Sequence, residues 1–502
     1  MSFLKHPYPF QLSSVEQCRD MDEKTIHEFG IDGFTLMELA GMQAALSISE
    51  LQPESRHGVY LCGKGNNAGD ALVVARYLTQ HLQHKLTICM VSGDEGLSPD
   101  CMKNLNLIKK IAEYSSLITV HTTFSPDLIK DADYAVDGLI GTGLKGALSD
   151  PFTEIVNELN RCALPVYSMD IPSGLNGNTG VAEGACVKAD HTFTFGALKT
   201  GFYFANARKY TGSVTLCHLP FPNHFRIGEG VYFDLDWESF YPTLKRTAQH
   251  KYKDGVVHIV AGSEGLTGAA IMAARSAWKS GAGAVILYSP TGLMEIYEKN
   301  LPEVIKKKIG GENDVLYNAE YAAEVSALIN EKEGVILAGP GMGLHEESVS
   351  FLKNVLAATN HPVVLDADGL ALLNEYPDFL QNRSVIITPH PGEAAKYLNN
   401  TGNDDRNRME WCKKYSLEHS FYTVSKGNPV IIGTPEGECA ISGYDTSIFS
   451  RAGFGDVLAG RIAGNLAICS DRAHSVIEAL LHGYRESLKL NENEVFEPNH
   501  LL

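Results

Sequence analysis

Gly453 and Gly455 flank Phe454 and lead straight into Asp456, in the stretch FSRAGFGDVLAG at residues 449–460 that continues as an apolar helical pattern. The two glycines are expected to allow tight, positive-φ backbone, and the free N–H groups at the start of the following helix favour an anion. In a phosphoryl transfer the amides of residues 453–455 would stabilise the negative charge that develops on the moving group. Asp456 would take the proton from the accepting hydroxyl. The plainer alternative is a glycine turn with Asp456 as the helix N-cap.

Other loops carry polar groups at the ends of apolar, strand-like runs. GKGNNAGD, residues 63–70, differs from the dinucleotide fingerprint because its third glycine comes one residue late, and Asn66 and Asn67 offer amide oxygens and donors together. DGLIGTGLKGAL, residues 137–148, sets Gly141, Gly143 and Gly146 around Lys145. In MDIPSGLNGNTG, Asp170 ends a strand, Pro172 sets a turn and Ser173 follows. The second half of the chain adds GSEGLTGAA (262–270), GPGMG (339–343), DADGL (366–370), TPHPGE with His390 between two prolines, and Lys426 before Gly427. Each has a plain reading: Gly, Asn, Asp and Pro are ordinary turn residues, His390 a satisfied turn histidine, Asp366 and Asp368 helix caps, Lys426 a surface charge. Their weight lies in convergence, because loops that follow strands of one open α/β sheet meet along one edge, where ligands bind.

The elements that would hold these loops form two series. Residues 14–29 and 35–51 read as helices, the first ending at Gly30, with apolar faces suited to a sheet or a second subunit. Short Val/Ile-rich runs alternating with helices then predict a doubly wound parallel sheet up to about residue 220, and the same rhythm resumes at YKDGVVHIVAG. PVIIGTPEGECAIS reads as a hairpin just ahead of the glycine turn. The expected class is α/β in two domains, 1–222 and 249–502, joined by a Pro- and aromatic-rich linker, 223–248. A length of 502 residues suits two large cores. A net charge of −18 disfavours nucleic acid and anionic membrane as partners. The ten cysteines form no CxxC pair, and the start MSFLKHPYPFQLSS has no apolar core, so a reduced, cytoplasmic protein is expected.

GKGNNAGDAL, VDGLIGTGLKG and DIPSGLNGNTG together resemble the epimerase domain of the NAD(P)HX repair proteins, over roughly residues 10–220. The resemblance implies a Rossmann-like domain in which Asn66, Asn67, Ala68, Gly69, Asp70, Gly141, Thr142, Gly143, Leu144, Lys145, Gly146, Ala147 and Asp170 line a site for hydrated NADH or NADPH. It further implies that Asn67, Asp137 and Ser173 hold a potassium ion, a hard-oxygen set that suits an alkali cation. The family's usual second glycine in the first loop is Ala68 here.

GSEGLTGAA, AGPGMG, VVLDADGL, TPHPGE, SKG and RAGFGDVLAG resemble the ribokinase-like dehydratase domain of the same family, over roughly residues 245–490. By that resemblance Ala269, Gly343, His390 and Asp456 contact the hydrated cofactor, while Lys426, Gly427, Asn428, Pro429, Val430 and Gly455 contact ADP or ATP with Mg2+. Phe454 and Val430 replace hydroxyl residues of the family pattern, and SGYDTSIFSRAG lacks its Gly-Asn-Pro run.

The implied chemistry is epimerisation of R- and S-NAD(P)HX, with Asp170 and Lys145 as candidate acid and base, followed by dehydration of the S form with Asp456 as base. A homo-oligomer is expected. Two other readings remain: a ribokinase-like small-molecule kinase with a non-catalytic N-terminal binding domain, and a nucleotide sensor without turnover.

Overall fold

Short apolar runs separated by helices build one parallel sheet in each half of the chain. The computed structural model describes residues 10–54, 56–239, 255–376, 379–380, 383–402, 404–491 and 494–502. The chain divides into two compact units, Leu4–Val231 and, apart from the first three residues, Tyr232–Leu502. Of the stretch expected as linker, Asn223–Phe225 is a 3-10 turn and Gly230–Phe233 a strand. Residues 240–254 lie outside the described residues.

The strands of the first unit are β1 (Gln11–Ser13), β2 (His57–Cys62), β3 (Lys85–Met90), β4 (Ile118–His121), β5 (Tyr134–Gly138), β6 (Val166–Met169), β7 (His191–Phe195), β8 (Leu198–Lys199) and β9 (Ser213–Cys217), and β10 (Gly230–Phe233) falls at the division between the units. Seven of them form a parallel sheet in the order β4-β3-β2-β5-β6-β7-β9. The chain steps outward from β2 to β4 and then restarts on the other side at β5, so the loops after β2 and β5 part company at a switch point. Those loops are pressed together: the Gly63 N–H donates to the Gly138 carbonyl at 3.0 Å, and any Cβ on Gly63 would overlap the Leu139 carbonyl. The helices expected at 14–29 and 35–51 are Val15–Lys24, extended by a π-turn Thr25–Phe29, and Gly33–Leu51. Gly30, at φ 92°, closes the first. Helix Asn66–Leu82 buries Asn67 to Ala75 almost without interruption, and Ala68 takes ordinary helical backbone there, which is why it can replace glycine.

The second unit contains β11 (Val256–Val260), β12 (Ala284–Pro290), β13 (Ile305–Ile309), β14 (Val335–Ala338), β15 (Val363–Leu365), β16 (Val385–Ile387), β17 (Tyr422–Ser425), β18 (Ile431–Gly433) and β19 (Cys439–Ser442). They run β13-β12-β11-β14-β15-β16-β17-β18-β19, parallel up to β17 and antiparallel through the β18–β19 hairpin. Helix Phe454–Ile468 lies on helix Thr267–Lys279 almost backbone to backbone. A Cβ on Gly460 would overlap the Ala273 carbonyl, one on Gly464 would overlap Ser280, and Ser276 Oγ donates to the Val457 carbonyl at 2.7 Å. Glycine at these positions fixes where Asp456, one turn earlier, must sit.

Candidate active sites

In the first unit a cavity of about 850 Å3 opens at the switch point, walled by residues that include Asn66, Asn67, Asp70, Gly141, Thr142, Gly143 and Asp170. The three loops singled out in the sequence therefore meet in space. Asp170 takes left-handed backbone, φ 60°, a strained position for a residue with a Cβ and one often found at functional sites. Its Oδ1 accepts the Phe195 N–H at 3.2 Å and pairs with Lys199 Nζ. Burial works most strongly against the Lys199 charge, but Asp170, Cys18 and Asp22 together outweigh it and the Lys199 pKa is raised. Lys145, expected beside Asp170, instead stands exposed on its loop and is not part of the cavity wall. The cation at Asp170 is Lys199, which the sequence reading passed over. Its signal was a lysine inside the apolar run HTFTFGALK, where a buried ammonium needs a carboxylate.

Asp137 is fully buried. It accepts Ser173 Oγ at 2.6 Å, the Ser173 N–H at 2.9 Å, Ser168 Oγ at 2.8 Å and the Leu139 N–H at 3.2 Å. These donors are all neutral, and burial raises the Asp137 pKa despite them. Asn67, 7 % exposed, leaves both side-chain polar atoms without a partner. A buried carboxylate with neutral donors, next to a loop with an orphaned amide, fits a monovalent cation held by oxygen.

In the second unit a cavity of about 610 Å3 is lined by Asp366, His390, Glu393, Lys426, Gly427, Asn428, Val430, Gly455 and Asp456, among others. Asp366 stands at the N-cap of the 3-10 turn Ala367–Leu370 but its side chain makes no cap hydrogen bond, and Asp368 lies within that turn. Asp366, 1 % exposed, accepts Lys426 Nζ at 2.7 Å and Thr388 Oγ1 at 2.7 Å, and Asp368 accepts the Gly343 N–H at 2.9 Å. Lys426, far from being a surface charge, also faces Glu393 at 3.8 Å. Burial opposes its charge, yet Asp366 and Glu393 prevail and raise its pKa. Asp456 lies half-buried among these groups, and burial, then Asp366, raise its pKa to about 6.

The glycine turn differs in part from expectation. Gly453, at φ 95°, is the N-cap and offers no side-chain cap, so Asp456 is not the N-cap. Gly455 is helical and has no positive φ. It is glycine for room, since a Cβ there would stand 3.2 Å from Lys426 Nζ. Phe454 turns its ring into a cluster with Phe449 and Phe496, stacking on the latter at 5.3 Å. His390 is indeed a satisfied turn residue: Nδ1 accepts the Gly392 and Glu393 N–H groups at 3.0 and 3.2 Å, which leaves the proton on Nε2, facing Glu393 at 3.3 Å. It lines the cavity all the same. Ala269 and Gly343 lie outside that lining: Ala269, in the first turn of helix Thr267–Lys279, packs against Gly341, and Gly343, on the loop after β14, is tied to Asp368. The far wall comes from helix Arg472–Ser487 through Ala479, His482 and Gly483, and burial lowers the His482 pKa to about 4, so its ring is neutral. Among the described residues no cluster of three or more His, Cys, Asp or Glu could hold a metal. Mg2+ here would depend on nucleotide phosphates with one or two of these carboxylates, its usual habit.

Two α/β sheets, each with a cavity at the carboxyl ends of its strands and one with a glycine turn at a helix start beside a raised-pKa aspartate, define a two-site, nucleotide-handling enzyme. Residues 257–502 match the family described as NAD(P)H-hydrate dehydratase, and residues 33–201 match the YjeF-related protein N-terminus. The bifunctional NAD(P)H-hydrate repair enzyme of Coxiella burnetii is 31% identical over 457 residues, covering 90% of this chain and 89% of its own. That of Dictyoglomus turgidum is 29% identical over 493 residues, covering 94% and 93%. A Bacillus subtilis ADP/ATP-dependent NAD(P)H-hydrate dehydratase, co-crystallised with ATP/Mg2+, is 26% identical and covers 52% of this chain and 91% of its own, with a TM-score of 0.44. The chain belongs to the family of bifunctional NAD(P)H-hydrate repair enzymes. Matches across both halves favour this over a kinase with an idle N-terminal domain.

Proposed function

We propose that the first domain, residues 1–222, interconverts the R and S epimers of NADHX and NADPHX, and that the second, residues 249–502, dehydrates the S epimer to NADH or NADPH at the expense of ADP, with ATP as the alternative donor. The observation that carries this is Asp456: a carboxylate with pKa near 6, on the first turn of a helix whose cap is a bare glycine, in a cavity with Lys426. Asp456 takes the proton of the ring hydroxyl as its oxygen attacks the terminal phosphate. Backbone amides of the helix start and Lys426 hold the phosphoryl oxygens. Phosphate then leaves carbon 6 with the C–O bonding pair, driven by the ring nitrogen lone pair, and carbon 5 gives up a proton to the departing phosphate, which restores the ring double bond. Mg2+, held by the nucleotide phosphates and one or two of the cavity's carboxylates, would supply charge neutralisation that amides alone cannot.

Ala269, Gly343 and His390 contact the hydrated cofactor with Asp456, and residues 426–430 with Gly455 contact the nucleotide. In the first domain residues 66–70, 141–147 and Asp170 bind the hydrated cofactor, and Asn67, Asp137 and Ser173 hold K+. A reducing, cytoplasmic setting accords with cysteines that are all free thiols, and among the described residues no helix is long and apolar enough to cross a membrane. A homo-oligomer accords with Leu46 and Leu51, 58% and 48% exposed on helix Gly33–Leu51. The test is a time course of each epimer with ADP, ATP and no nucleotide. Without nucleotide either epimer is expected only to relax to the R/S mixture; with nucleotide both are expected to give NADH or NADPH, R by way of S. Persistence of S with both nucleotides would overturn the reading.

A further inference from the structure

Resting on the epimerase reading of the first domain, we infer that Asp22 is the group that carries the proton to and from the hydroxyl at ring carbon 6 of the hydrated cofactor. Asp22 belongs to helix Val15–Lys24 and walls the same 850 Å3 cavity as Asp70, Asp170 and Lys199. A ligand is called for there on separate grounds, because Asn67 in that wall is 7 % exposed and leaves its amide nitrogen and oxygen unpartnered.

The three carboxylates stand in three environments. Asp170 is ion-paired with Lys199. Asp70 is 8 % exposed, and burial, with the charges of Asp170 and Asp22, pushes its carboxyl well up. That shift favours its protonated form, which can offer a hydrogen bond to a ligand in the cavity. Asp22 is open to the cavity, yet the protein enclosing that cavity, and then Asp170, raise its pKa to about 6 against the pull of Lys199. A carboxyl near 6 can both give and take a proton close to neutral pH. The groups that face it are Glu23 and Cys18 on its own helix, Asp70 from helix Asn66–Leu82, Asp170 after β6 and Lys199 in β8. Arg19, Lys64 and Asp100 line the wider cavity.

Carbon 6 bears both a hydroxyl and the ring nitrogen. When Asp22 protonates the hydroxyl, the C–O bond breaks, water leaves with the bonding pair, and the nitrogen lone pair forms the C=N bond of a planar iminium. Water then adds to either face. Its electron pair makes the new C–O bond, the C=N pair returns to nitrogen, and the surplus proton goes back to Asp22. Water is released and consumed equally, and nothing is oxidised. The cationic iminium is stabilised by Asp170 and by Asp22 in its ionised form.

The test uses the full chain and purified R-NADPHX. Asp22→Asn is expected to slow saturating epimerisation by roughly 100-fold or more, the usual worth of a general acid, with affinity for NADPHX by calorimetry within about threefold of wild type. Asp22→Glu should recover part of the rate. The wild-type saturating rate should fall about tenfold per pH unit above about 6, and the Asn variant should lose that slope. ADP-dependent dehydration of S-NADPHX by Asp22→Asn, unchanged, reports an intact fold. An Asn variant with the wild-type rate and pH profile, or with weakened affinity and an unchanged saturating rate, would overturn the role. A wild-type protein that interconverts the epimers no faster than buffer would overturn the epimerase reading itself, and that control separates the two failures.

Discussion

Asp456 shares its cavity with Asp366, Glu393 and the ammonium of Lys426, so its proton affinity is set by a small local balance of charge. Burial and the neighbouring carboxylates raise it, and Lys426 limits the rise, which leaves it near 6. A base works in its ionised form, so protonation below that value removes it. Dehydration at saturating substrate is therefore expected to be level above about pH 6 and to fall about tenfold per unit below. Asp456→Asn should lower the rate by about 10²–10⁴-fold, remove the acid limb and leave epimerisation untouched. A variant that keeps the acid limb would show that another group titrates there. Glu393 is the nearest rival, since burial raises it too.

The position of that carboxylate is a property of two helices. Gly460 and Gly464 let helix Phe454–Ile468 lie against helix Thr267–Lys279 so closely that no Cβ fits at either point. Gly460→Ala must push the helices apart, an overpacking that costs about 1–3 kcal/mol and shifts Tm by roughly 2–4 °C for each kcal/mol. Gly268→Ala is the control, because its Cβ would meet nothing within 4 Å. Calorimetry on both variants checks this, and equal Tm values would remove the claim of close packing. Much of this scale could be read from residues alone. Both parallel sheets, the hairpin and the loops at the strand ends follow from the spacing of apolar runs and turn residues. The Lys-rich run IKKKI did not declare itself as β13, because an edge strand needs no buried alternation. Helix Arg472–Ser487 was also passed over, though it supplies His482 to the cavity wall. Partnerships such as Lys199 with Asp170 and Lys426 with Asp366 join residues 29 and 60 positions apart. No local pattern encodes such pairs. Gly455 misled for a related reason, since glycine chosen for room looks the same in sequence as glycine chosen for φ.

At the scale of the whole molecule, each cavity is walled entirely by residues of its own unit: those of the first all precede Val231, and those of the second all follow Tyr232. Among the described residues neither cavity's lining includes a side chain of the other unit, so a defect in one should leave the other's chemistry intact. The S epimer that would link the two reactions is a dinucleotide held by no covalent bond to the protein, so transfer between the sites through solution is the expectation. Two crippled proteins should therefore complement each other. Asp170→Ala alone is expected to convert S-NADPHX with ADP and to leave R-NADPHX behind at the uncatalysed rate, while Asp456→Asn alone should equilibrate the epimers and produce no NADPH. Mixed in equal amounts with ADP and Mg2+, they should carry R-NADPHX to NADPH at a rate set by the slower of the two half-reactions. Absorbance at the reduced nicotinamide band follows the whole course. A mixture that stalls with R-NADPHX unconverted, although each variant retains its own half-reaction, would mean that the epimer must be handed over within one chain.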